Sequence, residues 1–138
     1  MVGYTTYMVR RATSSTRTAG TVSYRLTRQK TVEEFFEGQH LPQDICDASA
    51  ELRRVAHHCS TPMNETCPIC SQHELVAVTF AFGVGLPASG RVLASESELA
   101  ALYQRGKPAT CYRIEVCCQC WWNYLRESFA VSVDQVVQ

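Results

Sequence analysis

Four of the eight cysteines fall in two tight pairs, Cys67-Pro68-Ile69-Cys70 and Cys117-Cys118-Gln119-Cys120. Two residues between thiolates let both sulfurs reach one metal ion from a single turn, and two such turns complete a tetrahedron. Cys67, Cys70, Cys117 and Cys120 are therefore the expected ligands and Zn2+ the expected cofactor. A site closed by four protein sulfurs keeps no position for water or substrate, so its expected role is structural. His73 extends the first pair to C-x2-C-x2-H and competes as a ligand. Cys118 adjoins a ligand, but on a strand entering the knuckle it points the other way. Cys46, Cys59 and Cys111 stand alone and read as small buried hydrophobes. His57-His58, beside Cys59, reads as the polar end of a helix.

Other site chemistry is not visible. The chain carries no Gly-rich phosphate loop and no nucleophile elbow. A deaminase-type zinc site needs His-x-Glu followed by Pro-Cys-x-x-Cys, and here Thr66 stands where that proline belongs. The protein is accordingly expected not to be an enzyme.

The elements that must position the knuckles follow from periodicity. A helix is expected over Thr21 to Glu37, with Val22, Leu26, Val32, Phe35 and Phe36 on one broad face. Thr31-Val32-Glu33-Glu34 also matches a capping box, which would start that helix at Thr31. A second helix follows Ser49, with Leu52, Val55, Ala56 and Cys59 in register. Ser60 to Glu65 is polar, contains Pro62 and reads as a linker. Leu75 to Phe82 alternates as a strand, and Gly83, Gly85, Pro87 and Gly90 mark a long turn. Ser95-Glu96-Ser97-Glu98 caps another helix, which stops near Gly106-Lys107-Pro108. Tyr112 to Val116 reads as a returning strand and Trp122 to Val133 as a third. Forty-six residues separate Cys70 from Cys117. An antiparallel pair of strands around a helical crossover would close that gap. The expected fold is thus α+β: a zinc-ribbon-like three-stranded antiparallel sheet with a helical insertion, preceded by two helices. The expected organisation is a disordered basic tail over 1–20, a helical segment over 21–62 and the ribbon core over 63–138.

Composition agrees with one small domain. The 138 residues are 46% hydrophobic and 19% charged, with zero formal net charge. No apolar run reaches the length of a membrane span, and the first twenty residues lack the apolar core of a secretory signal. A cytoplasmic location is expected, where cysteine pairs bind metal rather than form disulfides. Zero net charge hides an asymmetry. Arg10, Arg11, Arg17, Arg25, Arg28 and Lys30 all precede the first acid, Glu33, which leaves seven of the 13 basic residues against all 13 acids. A basic arm on an acidic body suits phosphates or an acidic protein face.

Several segments together resemble a family of short actinobacterial proteins known as a domain of unknown function. They are Ile45-Cys46-Asp47-Ala48, Glu51-Leu52-Arg53-Arg54, Cys67-Pro68-Ile69-Cys70 and Glu74-Leu75-Val76, then Glu115-Val116-Cys117 with Cys120, Trp122-Asn123-Tyr124-Leu125 and Ser128-Phe129. The likeness spans roughly Val22 to Val133. It implies a bacterial cytoplasmic protein with a zinc-ribbon-like core and no assigned activity. Cys118, Trp121 and the long basic N-terminus depart from the pattern, and the four presumed ligands do not.

The functional expectation is a non-enzymatic, zinc-stabilised adaptor that docks on a large nucleic-acid machine, RNA polymerase first. Trp121 or Trp122 would anchor the partner, and Arg10, Arg11 and Arg17 would reach phosphates or acidic protein. Packing of both tryptophans in the core is the competing reading. The alternatives are a thiol-based redox or zinc sensor that uses Cys118, and a ribosome-associated or direct nucleic-acid-binding protein acting through the tail.

Overall fold

The computed structural model describes residues 20–131. The arginines Arg10, Arg11 and Arg17 of the expected tail lie outside them. The described chain is a mixed α+β fold with an antiparallel sheet and four helices. In order it runs β1 (Thr21–Ser23), α1 (Arg25–Phe36), α2 (Pro42–Ile45), α3 (Ala50–His58), β2 (Thr61–Thr66), β3 (Glu74–Gly83), β4 (Arg91–Leu93), α4 (Glu96–Gln104), β5 (Ala109–Cys117) and β6 (Asn123–Val131). The sheet order is β1-β6-β5-β3-β2, and β4 also pairs with β3.

The central hairpin is the expected one. β3 and β5 pair antiparallel from Leu75↔Cys117 to Gly83↔Ala109, so both knuckles emerge at one end of the sheet. The helical crossover between them is α4. Ser95 caps it by accepting from the Glu98 N–H at 3.3 Å, while the Glu98 carboxylate accepts from the Ala94 N–H. Ser49 caps α3 in the same way, accepting from Leu52 N–H at 3.1 Å.

The sheet has six strands, not three. Thr21–Ser23 belongs to a strand rather than a helix, because Val22 buries its side chain against the sheet as β1 pairs with Glu127–Phe129. α1 therefore starts at Arg25. It does not start at Thr31, whose hydroxyl instead bonds the Thr27 carbonyl one turn back. The expected apolar face of this helix is also corrected. Val32 is its buried apolar residue, whereas Leu26 is 87% and Phe36 64% exposed. Thr61–Thr66, expected as a linker, is edge strand β2. Pro62 is tolerated there because an edge strand has N–H groups that need no ladder partner. Arg91–Leu93, between the expected long turn and the Ser95 cap, pairs with Thr79–Ala81.

Each face of the sheet has its own cover. On one face Val78, Phe80, Ile114, Val116 and Leu125 pack with Leu52 and Ala56 of α3 and with Tyr24. On the other, α4 closes the far end through Leu102 against Ala81, Cys111 and Val131. The knuckle end of that face holds Leu75, Cys67, Cys117, Trp122 and Val32 of α1. The metal-ligand candidates thus sit in an apolar cluster between a helix and the sheet's end.

Candidate metal centre

The two knuckles are built alike, although the first closes over one residue more than the second. The first cysteine of each donates its N–H across the turn, Cys67 to the His73 carbonyl at 2.8 Å and Cys117 to the Trp122 carbonyl at 2.9 Å. Its carbonyl accepts from the residue four positions on, Ser71 at 3.1 Å and Trp121 at 3.0 Å. Those two residues both adopt left-handed backbone, φ 57° for Ser71 and 71° for Trp121. This conformation costs an L-residue roughly 1–2 kcal/mol. It turns the chain so that amide protons face sulfur. Ile69 N–H points at Cys67 Sγ, and Gln119 and Cys120 N–H point at Cys117 Sγ, each at 3.4 Å. Such donors favour the thiolate form that a metal needs.

The register of β3 and β5 brings the knuckles together. Cys67 Sγ lies 3.7 Å from Cys120 Sγ, and Cys70 Sγ 3.7 Å from Cys117 Sγ. All four sulfurs lie within 4.8 Å of one another. A tetrahedral ion with metal–sulfur bonds of ~2.3 Å would set sulfur–sulfur edges of ~3.8 Å. The spacing fits such an ion, and the thiols are free rather than bridged. The four cysteines can hold a metal ion. His73, the competing ligand, contributes its backbone carbonyl to the first knuckle instead.

The first cysteine of each pair is buried and the second partly exposed. Desolvation pushes the Cys67 thiol up to about 11 and raises Cys120 as well. Burial also raises Cys70, but hydrogen bonds from the Gln72 backbone and the neighbouring thiols outweigh it and leave that thiol below its usual value. A metal ion entering this set must displace protons, because only thiolates ligate.

The second knuckle is also bound to the segment before α3. The Trp121 carbonyl accepts from Ala48 N–H at 3.3 Å and from Asn123 Nδ2 at 3.2 Å, and Asn123 Nδ2 also reaches Asp47 Oδ1 at 3.1 Å. The Trp121 ring lies under the Arg53 guanidinium, 5.0 Å away, and edge-on to His57 at 5.3 Å. Trp121 thus pins the knuckle to α3 and keeps part of its surface exposed. Trp122 is different. It is fully enclosed, stacks on Tyr124 and donates Nε1–H to Glu115 Oε2 at 2.7 Å. An enclosed indole has no surface to offer a partner, so the expectation for Trp122 as an anchor is corrected.

Two features of this end are absent from the sequence reading. Glu115 is completely buried on β5 and accepts from Arg28 Nε at 2.6 Å and Arg126 Nη1 at 2.9 Å, besides Trp122. Arg126 also holds Glu65 with both its Nη atoms at 3.0 Å. The signal was a lone acid, Glu115, between Ile114 and Val116 in a strand buried on both faces. Cys46 is the second. Read as isolated, it interacts with the Cys120 thiol and packs in the same apolar cluster. Cys118 meanwhile packs on the α3 side of the sheet, as its place after Cys117 implied.

Fold and site together define a small α+β protein whose antiparallel sheet ends in paired cysteine knuckles. The chain belongs to a family of unknown function, DUF5318, whose profile matches residues 15–138. It is similar to uncharacterized proteins of Mycobacterium tuberculosis and Mycobacterium bovis, 31% identical over 111 residues that cover 80% of this chain and 81% of each relative. These relatives agree with the resemblance to short actinobacterial proteins. No solved structure matches. Among the described residues no helix is long and apolar enough to cross a membrane.

Proposed function

We propose that this is a non-enzymatic, zinc-stabilised adaptor that docks on a large nucleic-acid machine, with RNA polymerase the first candidate. The observation that carries the metal part is the four-sulfur cluster, with two edges of 3.7 Å and all sulfurs within 4.8 Å. Soft thiolates in a tetrahedral set of this size select zinc over harder cations. Four protein sulfurs saturate such an ion, which favours a clamp over a catalyst. The zinc-ribbon-like reading rests on this cluster together with the β3–β5 hairpin.

The docking part rests on what the clamp holds in place. α1 presents Leu26 and Phe36 to solvent, and Leu41 in the following loop is 58% exposed. Beside Leu26 an open groove of about 760 Å3 is lined by Arg25, Arg28, Arg126 and Glu65, with Arg28 and Arg126 already paired to Glu115 and Glu65. Exposed apolar side chains with Arg25 beside Leu26 suit a partner surface that joins apolar and acidic groups. Trp121 adds an aromatic edge on the opposite side, next to α3.

Affinity capture of the tagged, full-length chain from its native host tests this reading. Recovery of polymerase subunits is the expected result. Recovery of neither polymerase nor ribosome subunits, at native abundance and moderate salt, contradicts it.

A further inference from the structure

The metal centre holds a fifth thiol. Cys46 ends α2 and packs with Cys67, Cys117 and Cys120 in one apolar cluster. The chain fixes it there, because Asp47 bonds Asn123 and Ala48 bonds the Trp121 carbonyl, so the residues just after Cys46 are anchored to the second knuckle. Both Cys46 and Cys120 are partly exposed, whereas Cys67 and Cys117 are buried. The partly exposed ligands are thus Cys70 and Cys120; both pack with Cys46 in this cluster, and Cys120 is the one whose side chain hydrogen-bonds that of Cys46. Cys118, the nearest spare cysteine in sequence, lies on the other side of the sheet.

We infer that Cys46 is the resolving thiol of a peroxide-responsive switch, pairing with Cys120 and removing one of the four metal ligands. This deepens the zinc reading and rests on it. The oxidant is hydrogen peroxide, and the chemistry balances in two steps. The Cys120 thiolate sulfur attacks one peroxide oxygen and the O–O bond breaks, giving the sulfenic acid and hydroxide. The Cys46 sulfur then attacks the sulfenic sulfur, its proton joins the departing hydroxyl, and a disulfide and water form. Sulfur loses two electrons in all and the peroxide gains them. With Cys120 committed to the disulfide, Cys67, Cys70 and Cys117 alone would remain to hold an ion, too few to close a four-sulfur site. A thiol reductant reverses the bond and restores the site.

The test uses the full-length, zinc-loaded chain, hydrogen peroxide, a chromophoric zinc chelator and non-reducing peptide mapping. The expected result is zinc release in step with a Cys46–Cys120 crosslink, both reversed by dithiothreitol. Cys46→Ala keeps its zinc before treatment and releases it several-fold more slowly, and Cys118→Ala behaves as the wild type. Release from Cys46→Ala at the wild-type rate overturns the inference. So does a crosslink map confined to Cys67, Cys70, Cys117 and Cys120. Should Cys46→Ala misfold, the crosslink map of the wild-type chain decides alone. Absence of metal before peroxide is added contradicts the zinc reading separately, and the Cys46–Cys120 pairing is then still scored on the metal-free chain.

Discussion

Ser71 and Trp121 occupy the same step of the two knuckles and share the same left-handed backbone. Glycine is the residue for which that conformation carries no steric cost. Ser71 is exposed and makes its knuckle bond through the main chain, so Ser71→Gly is expected to stabilise the protein by about 0.5–1 kcal/mol, read as a higher urea midpoint. Trp121→Gly relieves the same strain but discards the stacking under Arg53 and against His57. Its midpoint is expected to fall. Equal signs for the two variants would contradict the anchoring role of the Trp121 ring. Cys111 offers a pH test remote from the metal centre. It is fully enclosed on the α4 side, and burial pushes its thiol from 9.0 up to about 11. The neutral thiol is the folded form, so its contribution is intact below pH 9 and lost as pH rises towards about 11. The loss amounts to about 2–3 kcal/mol. Denaturation across that window is expected to show a steeper decline for the wild type than for Cys111→Ala, and parallel declines would contradict it.

Among the elements, α1 is held to the sheet largely by polar contacts. Its one buried apolar side chain is Val32, and Arg28 reaches across to Glu115 on β5. The carboxylate joins α1, β5 and β6 at one point, and Arg126 extends the link to β2 through Glu65. Removing a buried partner leaves charge uncompensated, so Glu115→Gln is expected to cost about 3–5 kcal/mol. Glu65 is 43% exposed, and Glu65→Gln is expected to cost no more than about 1 kcal/mol. Chemical denaturation of the two variants separates them, and similar costs would contradict a central role for Glu115. This junction also explains what was legible from residues alone. β3, β5, α3 and α4 announce themselves through alternation or a serine cap, signals carried within a few residues. β1 and β2 do not, because Thr21–Ser23 and Thr61–Thr66 are short, polar strands made by pairing with distant partners. α1 was read from its apolar residues, yet Leu26 and Phe36 point outward and an arginine does the holding. The cysteine cluster was legible because the C-x2-C spacing is itself the local geometry of the site. Cys46 was not, since its approach to Cys120 depends on how the segment before α3 meets the second knuckle.

At the scale of the whole molecule, the proposed zinc would close the sheet's open end. Structural zinc in small domains contributes roughly 10–16 kcal/mol of apparent binding free energy. Net stability of a domain is only about 5–15 kcal/mol. Losing a single ligand should therefore undo the knuckle end even where α4 still closes the other. Cys67→Ser and Cys120→Ser are each expected to lose the metal and hydrogen-exchange protection near Leu75 and Val116, while Ala81 and Cys111 retain more. Unchanged metal content and melting in either variant would contradict the clamp. The most direct measurement combines elemental analysis with zinc-edge X-ray absorption on the freshly purified, full-length chain. The account predicts one zinc per chain with four sulfur neighbours at ~2.3 Å. A chain without zinc, a shell containing nitrogen or oxygen in place of sulfur, or cysteines joined as disulfides would contradict it.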